Sequence, residues 1–144
     1  MSAELAIYMA WQDALQVDAT LTALIPAANI IIGPRAAEAP VPSICITMVG
    51  GNADIEPVQG SKITGYIYTD APVFQFEPAI DGNMPAIIAI TDAIEDIVLA
   101  DNPLLNAVGI QNVKKIMPFD YYDERKLLCR AARYSFTYQY KRVV

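Results

Sequence analysis

The sequence predicts an α+β domain in which an antiparallel β-sheet carries its helices on one face. Three observations carry that prediction. In RYSFTYQYKR, Arg133 to Arg142, the residues Tyr134, Phe136, Tyr138 and Tyr140 alternate with Ser135, Thr137, Gln139 and Lys141, the period of a strand with one buried face. In the middle of the chain Ile87, Ile90, Ile94 and Ile97 recur every three or four residues while Asp92, Glu95 and Asp96 face away, as in an amphipathic helix. The order of such segments, two helices, strands, a long helix and two strands, is that of helices laid against one side of a sheet.

Taken in order, Ala3 to Leu15 reads as a helix whose inner side is Ile7, Tyr8, Trp11, Ala14 and Leu15. Asp18 is placed to cap a short second helix with Leu21, Leu24 and Ile25 inward, closed by Pro26. Ile30 to Ile32 forms a brief extended piece before the proline-rich stretch GPRAAEAPVP. Ser43 to Val49, bounded by Pro42 and by Gly50-Gly51, reads as a strand, and Ile63 to Thr69 and Val73 to Phe76 as two more. The polar interval Gly50 to Lys62 is too long for a tight turn and reads as a loop, either a functional arm or disordered. Asn83 or Asp81 caps the long helix, which enters through Pro85 and stops at ADNP. Val108 to Phe119 and Leu127 to Lys141 make a closing strand pair joined by Asp120 to Lys126.

Composition narrows the chemistry. The chain has 144 residues, 54% of them hydrophobic and 18% charged, enough for one core and one domain, residues 1–144. No apolar run approaches the roughly 18 residues of a membrane span, so no membrane is expected as a partner. With no histidine there is no Ser-His-Asp or Cys-His activation and no histidine metal ligand. Cys45 and Cys129 fit no CxxC spacing and read as buried free thiols, with a disulfide between them left open. GGNADIEPVQG lacks the spacing and the basic residue of a phosphate cradle. Asp120, Asp123 and Glu124 could hold a hard cation or do acid-base work, but they read first as a solvated turn beside Arg125 and Lys126. Neither a cofactor nor a metal is expected.

Charge is divided along the chain. Residues 1–113 carry Arg35 and Lys62 against thirteen carboxylates, whereas residues 114–144 carry eight basic residues against three. The aromatic row of the last strand belongs in the core, while Arg133, Ser135, Thr137, Gln139 and Lys141 lie on a face that no predicted element covers. Strict alternation places Arg130 with the aromatics, so a bulge or a late strand start would be needed to turn it outward. A basic strand face on an acidic body suits assembly with copies of itself, in which Arg125, Lys126, Arg133 and Lys141 of one copy meet an acidic patch including Asp54 and Glu56 on the next.

The N-terminal helix followed by VDATLTALI, the strand VPSICITMV running into GG, the long mid-chain helix and the closing ARYSFTYQY resemble the tail-completion, or tail terminator, proteins of long-tailed bacteriophages. The resemblance implies an α+β structural protein of the virion, without enzymatic activity, located in the neck region of the tail and assembled in the host cytoplasm. Such proteins form a hexameric ring on the head-proximal end of the tail tube, end its polymerisation and present the surface to which the head's connector docks. The implied partners are therefore further copies of the chain, the tail tube protein and a connector or head-closure protein. DNA would pass through an acidic lumen without specific binding. Another neck or head-closure protein of the same virion, a small metal-dependent enzyme built on Asp120, Asp123 and Glu124, and a host binding module are the competing readings.

Overall fold

The computed structural model describes residues 3–59, 62–100 and 102–143. Five strands form one sheet in the order β1-β2-β3-β5-β4, with β1 Ile30–Ile32, β2 Ser43–Gln59, β3 Ile63–Ile80, β4 Gln111–Tyr122 and β5 Leu128–Val143. Four helices accompany it: α1 Ala3–Gln16, α2 Ala19–Thr22, α3 Met84–Leu99 and α4 Pro103–Asn106. The fold is α+β as expected. Four of the strands are antiparallel neighbours, and β1 pairs parallel with β2 through Ile30↔Ile44 and Ile32↔Ile46.

Local signals set the helix ends. Asp18 Oδ1 accepts from the Leu21 N–H at 2.8 Å, and Asn83 Oδ1 accepts from the Ala86 N–H at 3.2 Å, so Asn83 rather than Asp81 caps α3. Helix α2 ends after one turn, and Leu24, predicted on its inner face, is 43% exposed because the helical period does not reach it. Pro103 does exclude continuation of α3, but it also opens α4 at the N-terminal position where a missing N–H costs nothing.

The helices pack on one face. Trp11 is fully buried against Phe76 and Phe136 at ring-centroid distances of 5.2 and 5.5 Å, and Phe74 lies 5.3 Å from Phe136. Ile87, Ile90, Ile94 and Ile97 of α3, with Tyr134, Phe136 and Tyr138 of β5, complete the same cluster. The Tyr140 side chain, placed in this row from the sequence, lies outside the described residues. Asp92 and Asp96 are exposed as expected, and Glu95 forms an ion pair with Lys115 at 2.7 Å.

Two sequence expectations are corrected. The interval after Gly50-Gly51 is not a loop: β2 continues through it to Gln59, paired with β3 from Gly50↔Val73 to Gln59↔Ile63. The two strands expected at 63–69 and 73–76 are parts of β3. The glycines permit this instead of ending the strand. The register shifts between Met48 and Gly50, both glycines have positive φ (149° and 137°), and a Cβ on Gly51 would lie 2.4 Å from the Ala71 carbonyl oxygen. Secondly, the other face of the sheet is not bare at its Cys45 and Cys129 end, although Gln139, further along that face, is exposed as expected. The segment from Gly33 to Pro42 crosses that end, and Val41 packs on Ala79, Leu127 and Cys129.

Candidate assembly surfaces

The crossing segment is fastened by a buried cluster. Arg35 reaches Glu77 Oε1 at 3.1 Å and donates to the Glu77 carbonyl at 2.7 Å and to Ser43 Oγ at 2.9 Å, with the Arg35 and Glu77 side chains 9% and 13% exposed. Gln75 Nε2 donates to the second carboxylate oxygen at 3.0 Å. Burial pushes the Cys129 thiol up to about 11, with the Glu77 carboxylate adding to it, and burial likewise raises Cys45, which Arg35 partly offsets. Burial of the Tyr121 hydroxyl, then its hydrogen bond with Glu77, raise that group as well. Both cysteines are free, buried thiols. Cys45 lies opposite Glu77 and Cys129 opposite Ala79, two strand spacings and two residues apart, a Cα separation of roughly 12 Å that no disulfide spans. This cluster escaped the sequence reading because Arg35 and Glu77 stand 42 residues apart and neither sits in a motif.

The carboxylates of the β4–β5 turn have structural partners. Asp123 Oδ1 accepts from the backbone N–H groups of Arg125 and Leu127, each at 2.9 Å, and so holds the turn. Asp120 receives Arg130 Nη1 on both oxygens at 3.1 Å. Arg130 therefore keeps the helix-side orientation that strict alternation gives it, and no bulge in β5 is needed. Among the described residues no group of three His, Cys, Asp or Glu side chains is placed to hold a metal, and no helix is long and apolar enough to cross a membrane.

The basic residues singled out from the sequence are placed unevenly. Arg125 Nη1 donates to the Ala39 carbonyl at 2.8 Å, fastening the crossing segment a second time. Arg133 donates to Gln75 Oε1 at 2.9 Å and lies 4.7 Å above the Phe119 ring, a cation–π contact. Lys126 is exposed, in the left-handed region at φ 61°. Arg125 and Lys126 thus share the turn at one end of the sheet, and Arg133 sits mid-strand. Asp54 and Glu56 belong to the opposite end, in the outer part of the β2–β3 hairpin, and the Lys141 backbone shares the row of Glu56 through Ile67. The structure therefore brings Lys141 together with Glu56 along the backbone and separates both from the basic turn. The side chains of Asp54 and Lys141 lie outside the described residues.

The outer hairpin is an arm. From Gly50 to Gln59 it extends roughly 30 Å at about 3.3 Å per residue, with β5 running alongside as far as Val143 opposite Gly65. Ile55 and Ile67 on it are 53% and 37% exposed, and Glu56 and Pro57 are also exposed. A signal for the arm was present in the alternation of Asp54, Ile55, Glu56 and Pro57. The proline argues against a central strand but is admissible at an edge, which is where β2 runs here.

Fold and surfaces together define an α+β domain with helices on one face, a fastened crossing segment on the other, and an arm that its own core does not cover. No protein-family model matches the chain, and no curated protein matches it. In fold it is similar to a chain of the virion of native gene transfer agent (GTA) particle, with a TM-score of 0.64 and 13% sequence identity over 96% of this chain and 98% of that chain. At that identity the likeness is one of fold.

Proposed function

We propose that this protein is a structural component of a phage-type virion, forming a ring, six copies by its resemblance to tail terminators, on the head-proximal end of a tail tube. There it ends tube polymerisation and offers the head-docking surface; it catalyses no reaction. The observation that carries the reading is the end-to-end likeness in fold to a chain of a gene transfer agent virion. The arm supports it. A long hairpin with exposed apolar residues has little to bind on its own subunit, and loops or arms of this kind serve contacts between molecules.

Native mass spectrometry of the purified chain, alone and with tail tubes, tests the proposal. Hexamers, or monomers that become hexamers on tubes, are expected, while a monomer indifferent to tubes overturns it. Binding to a connector without tubes would instead favour the head-closure reading. Lys126 is the cleanest probe of the electrostatic part, because Arg125 and Arg133 have partners within the subunit. Lys126→Glu should reduce the ring fraction at low salt. The difference should vanish near 1 M, where the Debye length is about 3 Å. A ring fraction equal to the parent's at every salt concentration would remove Lys126 from the interface.

The arm can be tested by shortening it in register. Joining Asn52 to Ala71 by Asn-Gly, a two-residue hairpin turn, and ending the chain after Tyr138 removes the outer rows of all three strands together. This variant should unfold cooperatively with its helical circular dichroism signal intact, having lost strand residues only, and remain monomeric with or without tubes. Normal assembly would show that the arm takes no part in it.

A further inference from the structure

The sheet has two open strand edges on opposite sides. β4 ends the sheet on one side and is exposed along nearly its whole length, Met117 at 84%, Tyr122 at 70% and Phe119 at 45%. On the other side β1 covers β2 only at Ile44 to Ile46, after which Gly33 N–H donates to the Ile46 carbonyl at 2.8 Å and Met48 N–H to Tyr8 Oη at 3.0 Å. From Gly50 outward that edge has no neighbour among the described residues. Soluble proteins seldom leave long apolar edges open, because each is a template for another strand.

We propose that the β2 edge of one copy, over Gly50 to Glu56, pairs with the β4 edge of a second copy, so that neighbouring sheets join into one. The inference rests on the ring reading. Charge favours this occupant: Gly50 to Gln59 contains Asp54 and Glu56 and no basic residue, whereas β4 offers Lys114, its Lys115 and Asp120 being paired within the subunit with Glu95 and Arg130. Strand direction favours it also. Every step from β2 through β3 and β5 to β4 is antiparallel, so β2 and β4 run in opposite directions, and copies related by a ring rotation bring these edges together antiparallel. Pro57 and Pro118, which lack an N–H, mark where such a ladder must stop.

The register is consistent with closure. Lys114, Ser135, Val73 and Gly50 form one row, and Glu56 stands opposite Ile67, six positions further out than Val73. Strands of closed sheets tilt by about 35–45°, which at the usual spacings is about one residue of stagger per strand, or about four across the four steps from β2 through β3, β5 and β4 to the next β2. Taken outward, that offset brings Asp54 of one copy opposite Lys114 on the next, with Glu56 two residues along and Pro118 opposite Gly50 at the start of the ladder.

Cross-linking tests it. Glu56→Cys and Lys114→Cys chains are purified separately, mixed, and oxidised with copper phenanthroline or bridged with a short bis-maleimide, with Asp54→Cys and Ile116→Cys covering the neighbouring registers. The native cysteines are buried and should contribute little. Covalent dimers are expected from mixtures and not from either chain alone, and a ladder ending at the ring size is expected from the double variant. Within one chain the two positions lie roughly 25 Å apart, far beyond disulfide reach of about 7 Å. Intact rings by native mass spectrometry with no cross-link at any pair would overturn edge pairing and leave the ring reading standing. Absence of any oligomer would overturn the ring reading and this inference with it.

Discussion

Phe136→Ala is expected to destabilise the fold by roughly 3–5 kcal/mol, the range for removing a buried aromatic ring. Phe136 is 1% exposed and meets Trp11, Phe74 and Tyr138, so its loss opens a cavity where α1 crosses β3 and β5. The surrounding rings are held by separate elements and cannot collapse together into the space. Since domains of this size are stable by only about 5–15 kcal/mol, the variant should be close to unfolding at 37 °C. Urea denaturation should show a large drop in midpoint with an unchanged slope, whereas Phe136→Leu, which keeps most of the volume, should lose far less. A loss below about 1 kcal/mol for the alanine variant would mean that the ring is not a core element.

Glu77→Ala should cost about 3–5 kcal/mol for a different reason. It leaves the Arg35 guanidinium, 9% exposed, inside the protein with three neutral oxygen partners and no counter-charge. The cost is that of an unpaired buried ion, not the net worth of the pair, and replacing both partners distinguishes the two. Arg35→Met combined with Glu77→Leu should recover most of the lost stability, since an apolar pair of similar volume avoids desolvating charge. The coupling read from the double-mutant cycle should be large and favourable. The crossing segment supplies a second measurement, because Glu77→Ala should expose the Gly33–Pro42 stretch to limited proteolysis while the double variant protects it. If Glu77→Ala cost no more than the 0–1 kcal/mol or so of a surface pair, the cluster would not be fastening that segment.

The candidate surfaces were legible in part. Alternation correctly assigned the two faces of β5 from Arg130 to Gln139, including the helix-side position of Arg130, because a two-residue period is dictated by backbone geometry whatever the strand meets. The acidic arm and the basic turn were legible as charge but not as places. Arg125 and Arg133 looked available to a partner subunit, and only the fold shows them engaged with Ala39, Gln75 and Phe119. Likewise nothing in the local sequence marks Tyr121 as a neighbour of Glu77, since the strands that bring them together are far apart along the chain.

By itself the sequence determined α1, α2 and α3, the cap at Asp18, the choice of Asn83 or Asp81 for α3, the core faces of α1, of α3 and of β5 as far as Tyr138, and the α+β class. All of these follow from interactions within a few residues and from side-chain periods that folding does not alter. Tertiary structure alone decided that β2 passes through Gly50-Gly51 into an arm, that β1 joins in parallel, and that the Gly33–Pro42 segment closes over the second face. Those outcomes depend on backbone hydrogen bonds and buried charges whose partners are distant in sequence, and a ladder of N–H and C=O groups is the same for every residue but proline, so it leaves little mark on the order of side chains.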